Sequence, residues 1–383
     1  MQPLSTYSVD IQRGFLPAED PVKELPPALS AWDEYAYDLP KILVSGRIRY
    51  FLRSLPLLDP EPYLRTEGEW RRAMQALSYL GHAWVWGEPE PPDKIPANIA
   101  LPWYKVSQRL GRPPILSYAS YALDNWRRLE KEGPISLENI ALIQNFLGGI
   151  DEEWFILIHV AIEAAAARAI RALPSLVEAV KQEDTAAAQN ALAEIEPALA
   201  EMYKILLRMP EWCDPYIYYN RVRPYIHGWK NNPSLPEGLR YEGVTAYKDE
   251  PQQFRGETGA QSSIVPSLDA ALGIVHAEDP LRVYLREMLD YMPPGHRQFI
   301  LDLEAYGVKR EFYASTPTLR ELYNQCIDWI EKFRTKHLEY AAQYIARQHQ
   351  VSQANPTAVG TGGTPFMPYL AKHRDETRAH KIS

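Results

Sequence analysis

Two histidines stand on apolar seams, where a titratable ring needs a reason to be. Leu319, Leu322, Cys326, Ile330, Phe333, His337, Ala341 and Tyr344 recur at steps of three and four, which on a helix is one stripe. His337 then points into the core. A neutral imidazole there needs partners for both nitrogens, so it is either bonded to a backbone carbonyl or serves as a ligand. Phe155, His159, Ile162, Ala166 and Ala169 form a second such stripe. The adjoining run of alanines from 164 to 167 removes side-chain bulk, which suits close helix packing or a flat cofactor.

Arg334 lies three residues before His337, one turn away on the same face, and its planar fork suits a carboxylate. That carboxylate belongs to a bound group or to Asp269 on the preceding apolar helix. Residues 216–229 interleave tyrosines and a tryptophan with Arg221 and Arg223 in a loop-like setting. Rings and a guanidinium together fit an aromatic zwitterion, and they equally fit an aromatic cluster packed under a long loop.

The elements that position these residues are helical. Residues 136–138 open one helical pattern, 152–173 form a second and 185–207 a third. Three more follow Ser267, the last from about 318 to 348. The first ~110 residues are broken by proline clusters, which predicts short helices. No alternating pattern is long enough for a sheet, and no internal repeat is present. The expectation is an all-α protein with a small N-terminal domain over 1–147 and a large helical domain over 148–383.

Composition narrows the chemistry. Of 383 residues 46% are hydrophobic and 23% charged, and no apolar run reaches membrane-spanning length. With no basic-then-apolar leader at the N-terminus, the expected location is the cytoplasm. The net charge of -8, with basic residues dispersed among acids, argues against nucleic acid and for a small-molecule partner. Cys213 and Cys326 have neither disulfide-framework nor metal-ligand spacing. Residues 360–364, Gly-Thr-Gly-Gly-Thr, lack the Lys-Ser/Thr of a phosphate loop.

Several segments together resemble the indoleamine 2,3-dioxygenase family, from about Pro113 to Lys372: YASYALDNW from Tyr118, WFILIHVAIEAAAARAI from Trp154, HGWKNNP from His227, LPEGLRYEG from Leu235, GAQSS from Gly259, YMPPGHRQFI from Tyr291, REFY from Arg310 and GTGGT from Gly360. The resemblance implies an all-helical fold with one b-type haem between the two domains, O2 as co-substrate, an unidentified reductant and a monomeric state. It also implies cleavage of the indole C2–C3 bond of L-tryptophan or a close indole derivative, giving N-formylkynurenine. His337 matches the proximal iron ligand, Arg334 the haem-associated arginine and Asp269 its partner. Arg223 matches the arginine that binds the substrate carboxylate, and Phe155 and Tyr118 match pocket aromatics. Thr258 and Gly259 match the loop across the haem edge, and Thr364 lies in the stretch that closes over substrate.

Three positions depart from the animal enzymes: His159 replaces a small hydroxyl residue, Tyr218 a phenylalanine and Tyr121 a small residue. A distal histidine is similar to that of tryptophan 2,3-dioxygenases and suggests a bacterial or fungal type, with His159 accepting from the indole N–H or donating to O2. The alternatives are monooxygenation or rearrangement of an indole in secondary metabolism, and non-catalytic oxygen binding.

Overall fold

The computed structural model describes residues 1–278, 280–351, 360–363 and 366–383. It is 61% helical and 4% strand, an all-α fold as expected. The strand content is two pairs of two- or three-residue strands, Lys94–Ile95 with Arg240–Tyr241 and Trp126–Arg128 with Ile140–Leu142.

Local chemistry sets the helix ends. Helix α1 (Glu67–Trp86) starts at a capping box in which the Thr66 hydroxyl accepts from Glu69 N–H and the Glu69 carboxylate accepts from Thr66 N–H. Helix α2 spans Ala97–Leu110. Helix α3 (Ile150–Lys181) opens on Asp151, Glu152 and Glu153, whose charges suit the positive end of the helix dipole. Helix α4 (Thr185–Leu207) is capped by Asp184, and α5 (Ile264–Leu272) ends at left-handed Gly273. Helices α6 (Pro280–Met288) and α7 (Pro294–Ala305) precede α8 (Pro317–Ala341), which the Thr316 hydroxyl caps. The last helix is α9 (Phe366–Ala379).

Helix α3 packs along α4, α4 against α8, and α8 against α9. Two apolar cores result. Residues 16–157 build most of the first, joined by Ile226, Trp229 and Tyr291; the second runs from Ile158 to Tyr344 and takes in Tyr7, Val9 and Phe15. Helix α3 contributes to both, with Ile156, Leu157 and Val160 on one side and Ile158, Ile162 and Ala166 on the other. No helix among the described residues is long and apolar enough to cross a membrane.

Three expectations are corrected. Residues 136–139 form a turn instead of opening a helix, because the Asn139 side chain bonds to Glu130 N–H and to the Glu130 and Pro134 carbonyls, closing the 128–140 hairpin. The N-terminal third carries α1 and α2, of 20 and 14 residues, where short pieces were expected. Pro102 sits inside α2, in its second turn, and contributes no N–H to the helix. Past the glycine-rich segment the chain forms α9, held to α8 by Arg378–Glu331 and Arg334–Thr377 bonds.

Candidate active site

A cavity of about 680 Å³ opens between α3, α5, α8, α9 and the loop at 257–262. Each wall begins with a stripe. On α3, Phe155, His159 and Ile162 face the cavity; on α8, Phe333, Arg334, His337 and Tyr340 do. None of the alanines 164–167 lines it, and Ala166 and Ala167 are buried in helix packing, which decides that question for packing.

His337 lies deep in the protein, yet its ring is exposed, because what it faces is the cavity. No described group hydrogen-bonds to that ring. Desolvation, and secondarily the charge His159 would carry on the opposite wall, lower its pKa to about 4. It is therefore neutral near pH 7 with a lone pair available, the state a metal-binding imidazole requires. His159 is half-buried, and its Nδ1 lies 2.7 Å from the carbonyl oxygen of Phe155. A carbonyl only accepts, so Nδ1 carries the proton; with burial lowering the pKa, Nε2 is an unprotonated acceptor.

Arg334 is engaged on two sides. Its Nη2 donates to Asp269 Oδ2 at 2.6 Å and its Nη1 to the Thr377 hydroxyl. Asp269 Oδ2 also lies 3.1 Å from His276 Nε2, and His276 Nδ1 lies 2.6 Å from Glu376. Burial opposes ionisation of Asp269, but the neighbouring Arg334 and His276 outweigh it and hold the carboxyl well below the usual range. His373 stacks on His276, ring centroids 4.1 Å apart. His276, His373 and Glu376 bring one donor atom each within 4.8 Å of one another. Both His276 nitrogens are already taken by carboxylates, so the group as arranged is a hydrogen-bonded strut joining α5 to α9.

The aromatic residues separate into lining and supporting positions. Tyr118, Phe155 and Tyr218 line the cavity. Tyr118 donates to Glu163 at 2.9 Å, and Phe155 packs on Tyr218 at 4.6 Å. Tyr121 stands one layer back, stacked on Tyr79, and its hydroxyl has no hydrogen-bond partner among the described residues. Arg223 is also behind the lining: fully buried, its guanidinium is 5.5 Å from the Tyr219 ring centroid. Burial lowers its pKa, and the neighbouring Tyr218 and Tyr219 oppose that shift. Thr258 and Gly259 line the cavity, as do residues 360–362; Thr364 lies outside the described residues. Three π-helical turns, Ala119–Leu123, Tyr218–Val222 and Ala342–Ala346, adjoin the cavity where its aromatics are presented.

Sequence reasoning missed two buried acids, Glu257 in this wall and Glu163 behind it. Glu163 lies one turn after His159 and accepts from Tyr118 and Ser262; burial, opposed by these bonds, raises its pKa to about 7. Glu257 precedes Thr258 and is 4% exposed. The signal for Glu163 was its place on the His159 stripe at i+4; for Glu257 there was only an acid within a glycine-rich loop.

The cavity fits a haem in volume, in its largely apolar lining and in the unpartnered neutral imidazole of His337, with Arg334 one turn away. Comparison with known proteins agrees. The profile of the indoleamine 2,3-dioxygenase family matches residues 3–380. The chain is 37% identical to indoleamine 2,3-dioxygenase 1 of Rattus norvegicus, covering 99% of this chain and 96% of the relative. It is 35% identical to an indoleamine 2,3-dioxygenase of Aspergillus candidus, covering 98% and 96%, and 31% identical to that of Saccharomyces cerevisiae, covering 98% and 93%.

Proposed function

From the premise that this chain belongs to the indoleamine 2,3-dioxygenase family, whose members are haem-dependent oxidoreductases acting on indoles, we propose that it cleaves the C2–C3 bond of L-tryptophan to give N-formylkynurenine. The observation that carries the reading is the opposition of two neutral histidines, His337 and His159, across one apolar cavity. Haem b, one per chain, would supply the oxygen chemistry when bound, with His337 the residue that would hold it.

The residues divide the remaining work. His337 holds the iron from α8, and Arg334 with Asp269 fixes that helix against α5 and offers charge toward a propionate. Phe155, Tyr118 and Tyr218 confine the indole ring, so that orientation supplies much of the barrier reduction. His159 Nε2 accepts the indole N–H, since its proton is committed at Nδ1 to Phe155. Arg223 takes the substrate carboxylate, which requires the Tyr218 ring to shift and open the way to the buried guanidinium. Tyr121 acts through Tyr79 and Phe155 as a support for the ring wall. Thr258 and Gly259 cover one edge, and Thr364 belongs to the segment that follows the cavity-lining residues 360–362. The test is chromatographic and mass identification of the product from L-tryptophan and the reduced, haem-loaded protein. N-formylkynurenine is expected; a product with a single added oxygen contradicts the reading.

A further inference from the structure

Among the described residues, buried carboxylates have partners, with one exception. Glu152 accepts from the Phe146, Leu147 and Gly148 N–H groups; Glu163 accepts from Tyr118 and Ser262; Asp124 lies beside Arg71 and Arg112; Asp269 is held by Arg334 and His276. Glu257 is as buried as these, and among the described residues its carboxylate has no hydrogen-bond or ion-pair partner. Its side chain lines the cavity. Burial of an unpaired carboxylate is costly, and burial alone raises its pKa to about 8.

The backbone leaves Glu257 no freedom to withdraw. Its N–H donates to the Ile226 carbonyl at 3.1 Å, and its carbonyl accepts from the Thr361 hydroxyl. Ile226 is three residues after Arg223, so the acid and the arginine stand on neighbouring segments. Tyr218 lies between their influences: Arg223 favours ionisation of its hydroxyl and Glu257 opposes it. A ligand carrying a carboxylate and a cationic group a few atoms apart would bridge that gap.

Resting on the reading of this cavity as an amino-acid site, we propose that the Glu257 carboxylate binds the α-ammonium group of the substrate and makes the enzyme selective for zwitterionic indoles. The rival reading is that Glu257 remains a neutral acid in the wall and touches no charged ligand. Indole-3-propionate separates the two, because it keeps the ring and carboxylate and lacks the ammonium.

The experiment is spectroscopic titration of the ferric holoprotein, wild type and Glu257→Gln, with L-tryptophan and with indole-3-propionate. The expected result is a loss of about 10- to 100-fold in L-tryptophan affinity for the variant, the range of one hydrogen bond to a charged group, with indole-3-propionate affinity unchanged or improved. Equal changes for both ligands, or none for either, overturn the proposal. Should the variant lose haem, the wild type still decides: equal affinity for the two ligands overturns it. Normal L-tryptophan turnover with unaltered affinity in Glu257→Gln defeats the role of Glu257 alone, whereas a wild type that neither binds nor converts L-tryptophan defeats the amino-acid site itself.

Discussion

His159 Nδ1 donates to the Phe155 carbonyl, 2.7 Å away and one turn earlier in the same helix. The bond fixes the tautomer and aims an acceptor into the cavity, which separates the two roles open to a distal histidine: it receives a proton-bearing group and has none to give.

His159→Ser should therefore retain haem and lose selectivity for a free indole N–H. The ratio of kcat/KM for L-tryptophan over its 1-methyl derivative should fall by about tenfold, the worth of one neutral hydrogen bond. An unaltered ratio removes His159 from the substrate's path.

His337→Ala should abolish stoichiometric haem, since His337 is the residue proposed to hold the iron and His159 is assigned to the substrate side. Absorbance and iron content of the purified variant decide it; one iron per chain in His337→Ala rules the assignment out.

Arg223→Ala should raise KM for L-tryptophan by about 10- to 100-fold through loss of a charge-assisted bond. Indole, which has no carboxylate, should bind to both proteins alike. Unchanged KM would mean that the fully buried guanidinium supports the wall and does not reach the substrate.

Glu257 predicts a pH dependence of binding. Its pKa of about 8 in the free protein means it is protonated below that value, while the ammonium favours the ionised form. L-tryptophan affinity should thus fall as pH drops below 8, approaching tenfold per unit. Glu257→Gln should flatten the profile. His159 has a lowered pKa, and Tyr118 and Tyr218 are pushed up and stay neutral; Glu163, raised to about 7, titrates in the same range behind the lining, and the Glu257→Gln profile separates its contribution.

Asp269→Ala should destabilise the fold by about 3–5 kcal/mol, because Arg334 is left as a buried charge beside His276. The native pKa of Asp269 is depressed, so its contribution is present above the unfolded value and is lost as pH falls. The difference in denaturant midpoint between the two proteins should hold from pH 7 to about 4 and narrow as pH falls further below the unfolded carboxyl value; a difference that stays constant in that acid range contradicts the assignment.

Helices α3, α4 and α8 were legible in the sequence because an apolar stripe of period 3.6 is a local signal, and so was the inward aim of His159 and His337. The Arg334–Asp269 pair was legible as one of two options. The 128–140 hairpin was not, because it depends on Asn139 reaching across to Glu130 and Pro134. Arg223 and Tyr121 read as lining residues but stand behind Tyr218 and Phe155, a matter of depth that spacing along the chain does not encode. Glu257 was invisible for a related reason: an acid in a loop is ordinarily solvated, and only the fold shows it sealed between Ile226 and Thr361.

The central claim is tested most directly by supplying oxygen-18 gas to the reduced, haem-loaded protein with L-tryptophan and weighing the product. Two labelled atoms in N-formylkynurenine are expected. One labelled atom, or a product with the indole ring intact, contradicts the account.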